Sequence, residues 1–215
     1  MKRFFDILFS LILILALSPL FLLITLVVWL ETGLSPLYIQ KRSLTYKHRV
    51  FNFYKFRTMH LVPPDVNAKD DTITLKFGLD VYVTRFGKYL RRSGLDELPQ
   101  LINVLKGEMS FVGPRPLQVS DIELLKSDYP DLYNKRSEIK SRPGITGYWQ
   151  LFGDRLAGVK NMLELELYYE RHKSLTLIFF ILVETVPVMV FARHFDAIVS
   201  FRKEEYLRWE NEKVG

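Results

Sequence analysis

Leu13-Ile14-Leu15-Ala16-Leu17-Ser18-Pro19-Leu20-Phe21-Leu22-Leu23 is the centre of an apolar run from Phe4 to Leu30, in which Asp6 is the one charge. About 20 apolar residues suffice to cross a bilayer as a helix. The run is too long for a signal peptide, and no small-residue cleavage site follows it. Ser18-Pro19 falls mid-run, where proline breaks or kinks the helical hydrogen-bond ladder. Both flanks are basic, with Lys2 and Arg3 before the run and Lys41, Arg42, Lys47 and Arg49 after it. The positive-inside tendency then puts both ends on the cytoplasmic side. Each half, about 12 residues at about 1.5 Å rise, reaches about 18 Å, short of the roughly 30 Å hydrocarbon core. Physics alone leaves two arrangements open: a kinked span, and a helix–break–helix that enters and leaves one leaflet.

A length of 215 residues suits one domain, or one domain plus membrane segments, and the formal charge is +6. That charge suggests anionic partners: phosphates, nucleotides or lipid head groups. Nucleic acid is not expected, since no recognition helix, zinc finger or aromatic RNA-binding signature occurs. There is no cysteine, which removes disulfides, zinc thiolates and a cysteine nucleophile.

Arg91-Arg92-Ser93-Gly94-Leu95-Asp96-Glu97-Leu98-Pro99-Gln100 sets two adjacent carboxylates after two arginines. Leu98, Leu101, Ile102 and Leu105 predict a helical face, and Gly107 a stop. The pattern predicts a helix start near Asp96, where free N–H groups and a positive dipole end collect. Two readings stand at this point. Asp96 is an N-cap with Glu97 as a dipole partner, or the pair handles a phosphorylated substrate with a metal.

Other candidates are cationic. Tyr38 to Met59 reads as extended and aromatic-rich, which puts Lys55 and Arg57 on one face, either to clamp a diphosphate or as solvated strand charges, the commoner case for an isolated pair. In Gly113-Pro114-Arg115-Pro116 the prolines restrict the backbone around Arg115, which presents a planar fork to phosphate or makes a rigid loop whose arginine points to water. Arg142 to Gln150 is a Gly/Pro-punctuated loop whose Tyr148 and Trp149 either border a base or pack. Asp65, Asp70 and Asp71 lack the calcium-loop spacing and read as solvated. Ser120 to Lys140 predicts an outer helix, and Asn161 to Lys173 a helix carrying Glu164, Glu166 and Glu170. Leu175 to Ala192 is a second apolar run, interrupted by Glu184 and Pro187, better suited to the interface or the core than to a span. Arg202 to Lys213 reads as a charged tail.

In this order, Ser18-Pro19, Lys55-Phe56-Arg57-Thr58-Met59, Arg91 with Leu95-Asp96-Glu97-Leu98-Pro99-Gln100, Gly113-Pro114-Arg115-Pro116 and Arg142-Pro143-Gly144-Ile145-Thr146-Gly147 resemble the bacterial sugar transferases, specifically the small monotopic phosphoglycosyl transferases in their minimal catalytic form. The resemblance implies a predominantly helical α/β core on the cytoplasmic face of the bacterial inner membrane, standing on a re-entrant segment broken at Ser18 and Pro19 and held in one leaflet of membrane lipid. It implies a division into residues 1–36 (re-entrant helix), 37–172 (catalytic core) and 173–215 (interfacial helices and tail).

It also implies transfer of a phosphosugar from a UDP-sugar to polyprenyl (undecaprenyl) phosphate, with Mg²⁺ as cofactor. Asp96 matches the nucleophile and a metal contact, with Glu97 supporting the site or handling a proton. Lys55, Arg57, Arg91 and Arg115 match phosphate ligands. A homo-oligomer is left open. Three departures stand out. Arg42 is followed by Ser43-Leu44 where a glycine is usual, Glu166 stands where aspartate is usual, and Leu177-Ile178-Phe179-Phe180 replaces a Leu-Asp-Leu-Lys pattern. Other readings are a non-catalytic membrane-anchored UDP-sugar-binding module, a polytopic subunit and a metal-dependent phosphohydrolase.

Overall fold

A computed structural model describes residues 2–62, 73–74, 76–191 and 198–199. Asp65, Asp70, Asp71 and the charged tail lie outside the described residues. The described residues are mostly helical with three small sheets among them, consistent with the helical α/β expectation.

Two helices open it, α1 (Lys2–Ala16) and α2 (Ser18–Thr32), bent by 63° across Leu17. Pro19 lacks the N–H that would reach back to the Leu15 carbonyl. The Ser18 hydroxyl donates to that carbonyl instead, at 2.8 Å. An unpaired carbonyl in apolar surroundings is costly, so serine and proline work here as a unit. Gly33 ends α2 in the left-handed region at φ 66°. Among the described residues no single helix is long and apolar enough to cross a membrane, but this bent pair passes the same test together.

Polar residues at the head of α1 tie it to the core. Arg3 donates to the carbonyls of Val104 and Leu105, at the negative dipole end of α4 (Gln100–Lys106). Asp6 is 5% exposed. It accepts from the Ser110 hydroxyl at 2.9 Å and the Phe111 amide at 3.3 Å, which begin β4 (Ser110–Val112). The lone charge of the apolar run is therefore a docking point. Outward, Phe4, Phe9, Leu11, Leu15, Leu22, Leu23, Leu26 and Leu30 stay exposed. So do Leu175, Phe179, Val183 and Val186 of α9 (Leu175–Val190). Large apolar side chains exposed in this number mark a contact site for membrane or partner.

β1 (Leu37–Ser43) pairs antiparallel with β2 (Phe51–Phe56) on one side and with β5 (Leu117–Gln118) on the other. β3 (Lys76–Phe77) pairs with β7 (Ile198–Val199). The outer segment is two helices, α5 (Val119–Asp128) and α6 (Pro130–Arg136), because Pro130 restarts the ladder as a first-turn proline. β6 (Gly144–Thr146) runs parallel to β4. It is followed by α7 (Tyr148–Phe152) and α8 (Gly158–His172).

The helix-start expectation at Asp96 needs correction. α3 (Arg85–Ser93) precedes it and ends at Gly94, φ 70°. The two arginines lie in the last turn of α3, Asp96 lies in a 3-10 turn, Leu95–Glu97, and α4 begins only at Gln100. Asp96 is thus not the N-cap of α4. Gly107 does stop that helix, at φ 81°.

The glycines of the two proline-bearing motifs have one cause. A Cβ on Gly113 would strike the Arg142 carbonyl, one on Gly144 the Gly113 amide nitrogen, and one on Gly147 the Gly113 carbonyl. The β4–β6 crossing is closed backbone to backbone. Gly144→Ala is expected to lower stability by about 3 kcal/mol or to prevent folding. Gly33→Ala, strained in φ but with open space around it, should cost about 1 kcal/mol. Thermal unfolding of the detergent-solubilised variants checks the difference.

Candidate active site

The acidic turn is seated on α2. Leu95 and Leu98, on either side of Asp96-Glu97, pack into a cluster built on Ile24 and Val28 of α2, Phe56 of β2 and Leu90 of α3. Full burial of side chains such as Ile24 and Val28 contributes about 2 kcal/mol each. The turn also packs against β2.

Beside it opens a cavity of about 450 Å³. Its wall includes Lys55, Arg57, Arg91 and Arg115, the four cations expected to bind phosphate. β1–β2 pairing sets Tyr38 opposite Lys55. Lys55 Nζ lies 5.6 Å and the Arg57 guanidinium 5.7 Å from the centre of the Tyr38 ring. The two cations therefore share a face, as strand alternation predicts. Arg57 also donates from Nε to the Ser35 carbonyl at 2.8 Å, which anchors it beyond the end of β2. Arg91 is 9% exposed and donates from Nε to Thr58 Oγ1 at 2.8 Å.

Asp96 is buried, 5% exposed, and neither it nor Glu97 is part of the cavity wall. Both carboxylates nevertheless act on Lys55. Burial, then the neighbouring Arg91, pushes the Lys55 ammonium down to about 8, against the pull of Asp96 and, less strongly, Glu97. Lys55 is the link between the acidic turn and the cavity.

Arg42 escaped the sequence reading as a site residue. It is 7% exposed and lines the cavity with Tyr38 and Gln40. Positions 38, 40 and 42 alternate along β1, so the period-two signal that selected Lys55 and Arg57 was available there as well. Gln40 Oε1 accepts from Arg42 Nε at 3.1 Å, and Gln40 Nε2 donates to Gln118 Oε1 at 2.8 Å. Burial, then Arg115 nearby, lowers the Arg42 guanidinium to about 10, which leaves it charged at neutral pH. Lys76, Asp121 and Arg155 also line the cavity. Lys76 donates to Asp121 at 2.8 Å. The Arg155 guanidinium sits 4.7 Å from the Trp149 ring centre, and that ring is 2% exposed. Trp149 is therefore a packing residue that supports Arg155, and no local pattern marks Arg155.

No group of three His, Asp or Glu side chains able to hold a metal occurs among the described residues. Magnesium is commonly held by one or two carboxylates together with substrate phosphates and water. An adjacent carboxylate pair, Asp96 buried and Glu97 half-buried, beside a cation-walled cavity fits that donor set.

The family model described as bacterial sugar transferase matches residues 1–192. The exopolysaccharide production protein ExoY of Sinorhizobium fredii is 34% identical over 204 residues, covering 89% of this chain and 86% of ExoY. The undecaprenyl-phosphate glucose phosphotransferase of Komagataeibacter xylinus is 38% identical over 200 residues, 90% of this chain and 36% of that protein. The UDP-glucose:undecaprenyl-phosphate glucose-1-phosphate transferase of Klebsiella pneumoniae is 36% identical over 181 residues, 82% of this chain and 37% of that one.

An anion in the cavity raises the depressed Lys55 pKa, so anion binding draws in a proton wherever free Lys55 is largely neutral. A nucleoside diphosphate ester, which carries no phosphate group titrating in this range, is expected to bind with uptake of most of one proton near pH 9, little near pH 6.5, and none at either pH in Lys55→Met. Calorimetry in buffers of different ionisation enthalpy measures this.

Proposed function

The chain belongs to the bacterial sugar transferase family, and we propose that it moves a phosphosugar from a UDP-sugar to undecaprenyl phosphate, releasing UMP. The observation that carries this reading is the junction of the cation-walled cavity, the buried Asp96 and the apolar α1–α2 pair. An anionic nucleotide donor and a lipid acceptor need such a meeting point. The relatives named for undecaprenyl-phosphate transfer support the acceptor.

Asp96 acts as nucleophile. Its carboxylate attacks the sugar-bearing phosphorus, the bond from that phosphorus to the bridging oxygen breaks, and UMP leaves with the electron pair. The sugar phosphate remains on Asp96 as an acyl phosphate. A phosphate oxygen of the polyprenyl acceptor then attacks the same phosphorus, which breaks the acyl phosphate and restores the carboxylate. Two half-reactions of this kind give ping-pong kinetics.

Lys55, Arg57, Arg91 and Arg115 bind the donor's phosphate oxygens and stabilise charge on departing UMP. Lys55, with its pKa near 8, is cationic at neutral pH. Glu97 supports the site or handles a proton. Asp96, together with the donor's phosphates, would hold Mg²⁺, which neutralises phosphate charge when bound.

The bent α1–α2 pair dips into one leaflet of the inner membrane and returns, with the core on the cytoplasmic face and α9 at the interface. The Leu177-Ile178-Phe179-Phe180 departure adds apolar area to that face, since Phe179 and Phe180 are exposed. The transfer would begin assembly of a surface glycan.

Asp96→Asn is expected to abolish UMP release and to accumulate no covalent phosphosugar when incubated with the accepted UDP-sugar. A labelled intermediate on the Asn variant, seen by intact-protein mass spectrometry, would rule out the assignment. The accepted sugar comes from a UMP-release screen of UDP-sugars with undecaprenyl phosphate in nanodiscs. Cysteines placed at residues 2 and 41 of this cysteine-free chain should both react from the cytoplasmic side. Labelling from opposite sides would replace the re-entrant reading with a span.

A further inference from the structure

Pro114-Arg115-Pro116 carries a single backbone N–H, that of Arg115, because proline has none. Its three carbonyls and one amide all have partners. Gly144 N–H donates to the Pro114 carbonyl at 2.9 Å. The Arg115 N–H donates to Glu166 Oε1 at 2.9 Å. Arg136 Nη2 donates to the Arg115 carbonyl at 2.6 Å, and Arg42 Nη1 donates to the Pro116 carbonyl at 2.9 Å. Three of the four partners are thus buried, charged side chains serving one tripeptide.

Glu166 and Arg136 are also paired with each other. Arg136 Nε donates to Glu166 Oε2 at 2.9 Å and Nη2 to Oε1 at 3.1 Å, with the side chains 0% and 1% exposed. Arg136 Nη1 adds a bond to the Leu44 carbonyl. An ion pair this deep is a poor source of stability, since desolvation offsets most of the attraction. What the pair does visibly is grip the Arg115 peptide at its N–H and its C=O, while the Arg115 side chain stays in the cavity wall.

We infer that Glu166 and Arg136 are positioning residues for the transfer reaction, holding the Arg115 peptide at both ends so that its guanidinium meets the donor phosphates in one orientation. This rests on Arg115 being a phosphate ligand, as proposed above. Flanking prolines alone restrict φ at their own positions and bias the residue before them. They leave the Arg115 N–H and the Arg115 carbonyl without a fixed partner, since Gly144 holds only the Pro114 carbonyl. The Glu166–Arg136 fork supplies that partner from α8 and α6, two elements far away in sequence. Misplacing a phosphate-binding group by about 1 Å costs up to about a hundredfold in rate.

The test compares Arg115→Ala, the double variant Arg136→Met/Glu166→Leu and the triple variant in full-length protein in nanodiscs. Apolar replacement of a buried pair commonly preserves folding. The double variant takes these partners from the Arg115 N–H, the Arg115 carbonyl and the Leu44 carbonyl, so it is expected to unfold cooperatively but below the wild-type temperature. It should lose about a hundredfold in kcat/KM for the UDP-sugar, with the loss no greater in the triple variant than in Arg115→Ala. A folded double variant with wild-type turnover, or a triple variant whose loss is the product of the other two, overturns the inference.

Should the double variant not fold, Glu166→Asp decides. It keeps the charge and shortens the reach, so kcat/KM should fall about tenfold without adding to Arg115→Ala. An unchanged rate, or an additive loss, overturns the inference. Arg115→Ala at the wild-type rate would instead remove Arg115 from the phosphate ligands, a failure of the underlying reading.

Discussion

Leu95 and Leu98 are pressed into the cluster around Ile24, Val28, Phe56 and Leu90, and much of the remaining structure depends on that contact. It fastens the acidic turn to α2 on one side and to the strand bearing Lys55 on the other. The carboxylates then lie where Lys55 feels them, and Lys55 stands in the cavity wall. A hydrophobic contact thus sets the relation between an apolar helix, α2, and a cation-walled cavity. Neither half of the site could be built well without it, because the turn is only three residues long and has no ladder of its own to hold it.

The core solves a recurrent problem of charge-rich sites, that cations gathered around an anion's place repel one another when it is absent. Arg42 and Lys55 show the strain as lowered pKa values, each caused first by burial and then by a neighbouring arginine. The opposing carboxylates are supplied at intervals: Asp96 and Glu97 near Lys55, Asp121 on Lys76, and Glu166 on Arg136. Asp121 lines the cavity and Asp96 and Glu97 act on it through Lys55, whereas Glu166 is spent on the backbone of Arg115. Such preorganised dipoles and charges are effective because little rearrangement is left for the reaction to cause.

Much of this was legible in sequence where the signal was local. The break at Ser18-Pro19, the shared face of Lys55 and Arg57, the stop at Gly107 and the helices that became α8 and α9 each follow from periodicity or from proline and glycine chemistry. The helix start at Asp96 did not follow. A 3-10 turn between two helices leaves the apolar spacing nearly intact, and only Gly94, in the left-handed region, betrays the boundary. Arg42 was hidden because a flanking cation near an apolar run looks like a topology signal. Arg155 and the bonds of Glu166 and Arg136 to Arg115 depend on tertiary neighbours, which no local pattern encodes. Gly113, Gly144 and Gly147 were recognisable as motif positions. Their cause, a backbone crossing too close for any Cβ, required the fold.

The head of α1 is bolted to the core by Arg3 and Asp6, and α2 is bolted to it by Ile24 and Val28. The bent pair is therefore a rigid wedge with its apex at Leu17. In the proposed one-leaflet arrangement such a wedge adds cross-sectional area to the cytoplasmic leaflet and none to the other. That asymmetry couples the protein to the bending of the bilayer. A sheet of lipid already curved toward the protein's side has room for the wedge, whereas a flat, tightly packed one must be parted to admit it. The shape that seats the acidic turn would thereby also give the chain a preference for where in a membrane it resides.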